Sequence, residues 1–147
     1  MKNEDVAEEF AQGNEAKTEN MFSERTGNEG ETELTVFSYG YHFPIAIDKG
    51  NYYLFNTQDY SNSTARHKCY VERAIRGVVI KIKDCKESHA GEQIKDNKEQ
   101  IAYLNKKLSS ARKDTIKERY NQNIEELKEQ NELIKKYVLP KLVMQEI

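Results

Sequence analysis

Apolar side chains follow three different patterns along this chain. Over residues 1–32, Val6, Phe10, Met21 and Phe22 stand without a period among Gly, Asn, Glu and Thr. So few apolar anchors in a polar stretch predict a disordered arm. From Glu33 the pattern changes to short runs rich in aromatic and β-branched residues, at 35–39, 43–48 and 51–56. These read as strands, the second and third joined as a hairpin across Asp48-Lys49-Gly50-Asn51, where Gly50 takes the positive φ of the turn tip. Pro44 lacks an N–H and belongs at a strand start or on an edge.

A polar cluster, Tyr60 to His67, leads into a helix capped by Ser61 or Ser63 and ending near Gly77, with Val71, Ala74 and Ile75 on its apolar stripe. A further strand follows over 78–82. Residues 33–85 therefore predict a compact α+β core of three or four antiparallel strands and one packed helix.

After Asp84 the apolar residues step by three and four: Ile94, Ile101, Leu104, Leu108 and Ala111, then Ile116, Tyr120, Ile124, Leu127, Ile134 and Val138. The register slips by two positions between Arg112 and Ile116. With Thr115-Ile116-Lys117-Glu118 read as a capping box, residues 86–147 become a charged C-terminal antiparallel helical hairpin; one continuous coiled-coil helix is the alternative. Pro140 is expected to end the second helix, and the apolar end at Leu142, Val143, Met144 and Ile147 to dock back or to serve as a hook for a partner. The seam needs a cover, from the core or from a second subunit, and a homodimer is the expectation.

Composition sharpens this division. Hydrophobic residues make up 37% of the chain and charged ones 33%, too thin a core to offset ordering of the whole backbone at roughly 1–2 kcal/mol per residue. The formal charge of −2 conceals an asymmetry. Residues 1–32 hold nine acids against three bases, net −6, whereas 33–85 and 86–147 are each net +2. The acidic arm either solubilises the chain or mimics phosphate in front of a basic face. No run approaches the length of a membrane helix, and the acidic start is unlike a secretory signal, so no membrane association and a cytoplasmic setting are expected. In that setting Cys69 and Cys85 are expected to be free and buried.

Candidate chemistry is sparse. Cys85 and His89 have a ligand-like spacing for zinc, with His67 and Cys69 as a second pair, but those two splay across a helix. Cys69 with His42 or His67, and Ser61 with His67, are conceivable nucleophile pairs, yet no nucleophile elbow surrounds them. No Gly-rich phosphate loop is present. The reading is of a noncatalytic protein without a metal or other cofactor. A helix start bearing Ser63, Thr64, Arg66 and His67 suits a phosphate, and Lys68, Arg73 and Arg76 extend it toward nucleic acid, with tyrosines nearby for stacking. Tyr103, Tyr120 and Tyr137, spaced 17 residues apart, are candidate anchors for a protein partner.

Ser38-Tyr39-Gly40, Ile45-Ala46, Asn56 and the run Tyr60-Ser61-Asn62-Ser63-Thr64-Ala65-Arg66-His67 together resemble a domain of uncharacterised small proteins from bacteriophages and mobile elements. Its pattern is Ser-Tyr-Gly, Ile-Ala, Asn, then Tyr-Ser-x-Thr-Thr-Ser-x-His. The resemblance implies a genomic context and no chemistry. By analogy with small phage proteins, the expected function is an accessory protein that binds and modulates a host or defence-system protein or ribonucleoprotein, for example as an inhibitor of a CRISPR effector. Nucleic-acid binding through residues 66–76, or sequestration of a nucleotide signal at the same helix start, are the alternatives.

Overall fold

Strand-forming residues between Ala16 and Lys81 build one six-stranded sheet in the order β1-β2-β3-β4-β5-β6. The computed structural model describes residues 1–28 and 30–146, with side chains described except at 143–146. It divides into two units, Met1–Lys86 and Glu87–Ile147, where three segments were expected. The strands are β1 Ala16–Lys17, β2 Met21–Thr26, β3 Glu33–Ser38, β4 Pro44–Asp48, β5 Tyr53–Phe55 and β6 Val79–Lys81. The helices of the first unit are α1 Asn3–Ala11 and α2 Asn62–Ala74.

The first correction concerns the expected disordered arm. Residues 3–11 are helical, and β1 and β2 add to the sheet, β2 pairing with β3 over its whole length from Met21↔Ser38 to Thr26↔Glu33. Val6, Ala7 and Phe10 sit at i, i+1 and i+4 and so share one helix face. They enter the same core as Met21, Leu34, Val36, Ile45, Phe55, Val71 and Ile75. A segment with few apolar residues folds here because nearly every one of them is buried, Val6, Phe10 and Met21 completely. Two helices, α1 and α2, therefore line this core instead of one.

Pro44 opens β4, and the register slips beside it between Val36 and Phe37, a bulge that lets a central strand accept a residue with no donor. Gly50 has φ +95, and the turn is closed by Lys49 N–H to Tyr52 O and Gly50 N–H to Asp48 Oδ1, as the hairpin reading requires. The other correction is to β6. It pairs parallel to β5, Leu54 beside Ile80, because α2 intervenes and returns the chain in the same direction, whereas an antiparallel neighbour needs only a turn.

In the second unit, α3 Ala90–Ser110 and α4 Asp114–Leu133 form the helical hairpin, broken at Ala111 by extended backbone (ψ 140). The expected capping box is not the start of α4: the cap is Lys113, with no side-chain bond, and Thr115 already lies in the first turn. Leu104, Ile124, Ile134 and Val138 are buried, while Ile116 is 38% exposed and leaves the seam. Three amides take seam positions instead. Gln93 Nε2 donates to Asn97 Oδ1 and Asn97 Nδ2 to Asn131 Oδ1, each at 2.9 Å, all three residues buried.

Pro140 does not end the helix. A π turn, Ile134–Val138, leads into α5 Leu139–Glu146, and this wider turn gives the pyrrolidine ring room that a regular helical turn would deny it. Of the apolar C-terminal end, Leu142 is half-buried; the side chains of Val143 and Met144, and Ile147 entirely, lie outside the described residues. No helix among the described residues is long and apolar enough to cross a membrane.

Candidate functional site

Ser61 starts the site by capping α2: its Oγ accepts from Thr64 N–H at 3.1 Å, satisfying a donor the first helical turn leaves open. The cap sets the phase of the helix, so that Thr64, His67, Lys68 and Val71 face inward. At the end of β3, Ser38 Oγ lies 2.8 Å from His67 Nδ1 and 3.3 Å from Thr64 Oγ1. On the other side of the ring, His67 Nε2 lies 3.3 Å from Asn3 Nδ2 at the start of α1. Asn3 Oδ1 in turn accepts from Thr18 Oγ1 at 2.5 Å. This clasp, buried at Ser38, Thr64 and His67 and half-buried at Asn3 and Thr18, joins α1, the β1–β2 turn, β3 and α2.

The clasp assigns the proton on His67. Thr18 Oγ1 already accepts from the N–H groups of Asn20 and Met21, which fills its lone pairs, so it donates to Asn3 Oδ1. The Asn3 NH2 group then faces Nε2, which must accept. His67 is thus neutral and protonated on Nδ1, donating to Ser38 Oγ. A second proton would set two donors against each other. Burial, followed by the neighbouring Arg66 charge, likewise lowers the His67 pKa below its ordinary value.

This settles what the Ser38–His67 pair can do. The ring nitrogen beside Ser38 carries a hydrogen and cannot take the serine proton, and Ser38 is 1% exposed. The geometry is that of a structural clasp. His67, a member of two of the conceivable nucleophile pairs, has both nitrogens engaged by Ser38 and Asn3. Cys69 is exposed, correcting its expected burial, whereas Cys85 is buried with its Sγ against the carbonyls of Ile45 and Leu54, its thiol pKa pushed far up by burial. Among the described residues no three His, Cys, Asp or Glu side chains gather as a metal site would require.

The expected phosphate and nucleic-acid set is split by the same helix phase. Thr64, His67 and Lys68 turn inward; Ser63, Arg66, Arg73 and Arg76 are exposed. Lys68 Nζ donates to Gln58 O at 2.8 Å, pairs with Asp59 at 2.9 Å and lies over the Phe55 ring. Arg76 turns its guanidinium back on the Arg73 and Ile75 carbonyls at the end of α2. Only Arg66 and Arg73 remain outward on one face of the helix, seven residues apart.

Tyrosines near Ser38 and Ser61 in the chain are exposed. Tyr39, in the turn after β3, has φ 65, a left-handed conformation that costs a non-glycine residue about 1–2 kcal/mol. It is held there by its N–H to Asn20 O and by its ring over His67, 5.2 Å between centroids. Gly40 follows because a Cβ there would meet His42 Nδ1 at 2.9 Å. Tyr39, Tyr41 and Tyr60 are 51%, 63% and 76% exposed. Tyr41 packs edge-on against the stacked pair Phe22–Phe37, and its hydroxyl donates to Glu24 Oε2 at 2.7 Å, a bond that raises the Tyr41 pKa. Tyr39 and Tyr41 border an open depression of ≈ 840 Å³.

The anchors expected on the hairpin do not gather. Tyr103 is 53% exposed beneath Lys107, while Tyr120 and Tyr137 are half-buried; Tyr120 and Tyr137, 17 residues apart along helix, are separated by ~25 Å. Sequence reasoning picked out Thr64 and His67 as site candidates; Ser38 and Tyr39 entered only through the resemblance, and Asn3 and Thr18, which carry no local signal for a tertiary hydrogen bond, and Tyr41 were missed. Compared with protein-family models, curated proteins and solved structures, the chain matches none.

Proposed function

We propose that this chain is a noncatalytic accessory protein of phage type that binds and modulates a host or defence macromolecule in the bacterial cytoplasm, with Tyr39, Tyr41 and Tyr60 as its contact surface. The observation that carries the reading is the exposure of Tyr39 and Tyr41 at one depression, with Tyr39 itself held in a strained conformation. An aromatic side chain kept at φ 65 and half open to solvent is a cost the surrounding clasp maintains, and such outliers concentrate at binding sites. Tyrosine is also among the residue types enriched at the hot spots of protein contacts, with large contact area and few rotamers to freeze.

The resemblance to the phage domain supports the same context. Its polar residues Ser38, Thr64 and His67 are consumed in hydrogen bonds to one another and to Asn3, and Tyr39 and Tyr60 are the large apolar members of the pattern that face solvent. A nucleic-acid reading has less to rest on, with Lys68 buried in its ion pair and Arg76 turned onto the backbone. A homodimer formed through the hairpin is part of the proposal, with exposed Tyr103 and Ile116 as its surface; mass measurement in solution tests it.

The functional test is affinity capture from nuclease-treated host lysate with the wild-type protein and with Tyr41→Ser/Tyr60→Ser. A stoichiometric protein retained by the first and lost by the second is the expected result. Retention by both, or recovery only with intact nucleic acid, overturns the reading.

A further inference from the structure

The depression beside Tyr41 has a definite charge. Glu15, Glu19 and Glu24 line it, against Lys17 and Arg25. Arg25 is drawn away from it in part, since its guanidinium donates to Gly13 O at 3.3 Å. Of the three acids, Glu15 and Glu19 are exposed and Glu24 is half-buried. Three carboxylates thus stand with Tyr39 and Tyr41 around one depression, against two bases.

Aromatic faces and carboxylates converging on one depression suit a single class of occupant. A guanidinium or ammonium group gains from the ring quadrupole of Tyr41 and Phe22 and from the carboxylates at once. The Glu24 carboxylate, oriented by the Tyr41 hydroxyl at 2.7 Å, keeps lone pairs for a second donor. A phosphate backbone would meet repulsion from the same groups. Resting on the protein-binding reading above, we infer that the partner presents an arginine-rich segment to this depression, one cation seated between Tyr41 and the carboxylates of Glu19 and Glu24.

The test is an amide NMR titration of the full chain with a tetra-arginine peptide, repeated with tetra-glutamate and with a single-stranded DNA oligonucleotide. Saturable shifts at Glu24, Gly40 and Tyr41 with tetra-arginine alone are expected. Neutralising an exposed carboxylate partner weakens such a contact about 3-fold, so Glu19→Gln/Glu24→Gln should weaken binding by roughly 10-fold. Unmoved amides, shifts indifferent to that double variant, or movement of the same amides by tetra-glutamate or DNA would overturn the inference. The two proposals fail separately in the capture experiment. A partner lost with Tyr41→Ser/Tyr60→Ser but kept by Glu19→Gln/Glu24→Gln preserves the tyrosine surface and removes the cation; a partner kept by all variants removes both.

Discussion

The clasp around His67 and the amide ladder Gln93–Asn97–Asn131 each bury polar groups at the centre of a unit, and they differ in reach and in chemistry. The clasp ties residues 64, 29 and 15 positions apart, from Asn3 to His67, Ser38 to His67 and Asn3 to Thr18. The ladder joins two residues one turn apart on α3 and crosses once to α4. The first can form only after the sheet and both helices are in place, so it reports tertiary closure. The second selects one pairing of two helices, as a buried amide does in a coiled coil. The clasp contains a titratable group, His67, whose pKa burial lowers, and the ladder contains none. Partner completeness is common to both: among the described residues no buried side-chain nitrogen or oxygen lacks a hydrogen bond.

Four measurements would break or sharpen this contrast. The largest effect is expected from Phe10→Ala. That ring is fully buried in the core of the first unit, and its loss should cost about 3–5 kcal/mol in denaturant unfolding of that unit. A change below 1 kcal/mol would remove α1 from the core.

Asn97→Ala comes next. It leaves Gln93 and Asn131 without their shared partner and should cost ~1–3 kcal/mol, read from hydrogen exchange of α3 and α4. Replacing Gln93, Asn97 and Asn131 together by Leu should be near neutral for stability while admitting other helix pairings, seen as a change in mass or as broadened spectra.

Tyr39→Gly should be smaller and opposite in sign. Releasing a left-handed non-glycine residue returns about 1 kcal/mol, less the packing lost over His67. A destabilised variant would show that the ring contact outweighs the backbone strain.

The smallest effect is a pH slope carried by a single proton. The folded His67 pKa lies below its ordinary 6.5, so the unfolded chain binds the proton more readily. The clasp's contribution is complete above pH 6.5, falls as the pH drops toward the folded pKa, and levels off below it. Arg66, on the same helix, pushes in the same direction. Hydrogen exchange at α2 should show the slope, the ladder amides should not, and His67→Gln should abolish it.

Much of the middle of the chain was legible in its residues. The β4–β5 hairpin, its glycine and the Ser61 cap rest on local chemistry, where φ, a missing N–H or a side-chain oxygen acts within a few positions; the helical break near Arg112 showed as a slip of the apolar register, although the capping box read there does not start α4. The α+β class and the C-terminal hairpin followed from periodicity alone. What misled was composition. Residues 1–32 look unfoldable because average polarity ignores where four apolar side chains point, and Val6, Phe10 and Met21 spend their whole surface on a core supplied by other segments.

The sequence by itself determined the local elements and their order, because propensity, capping and hydrophobic period are properties of neighbouring residues. Only the tertiary structure decided that the acidic segment folds, that β6 runs parallel to β5, that Lys68 and His67 turn inward while Arg66 and Arg73 stay outside, and that Tyr39 is held strained above the clasp. Each of these depends on contacts between positions far apart in the chain, whose energies no local pattern records.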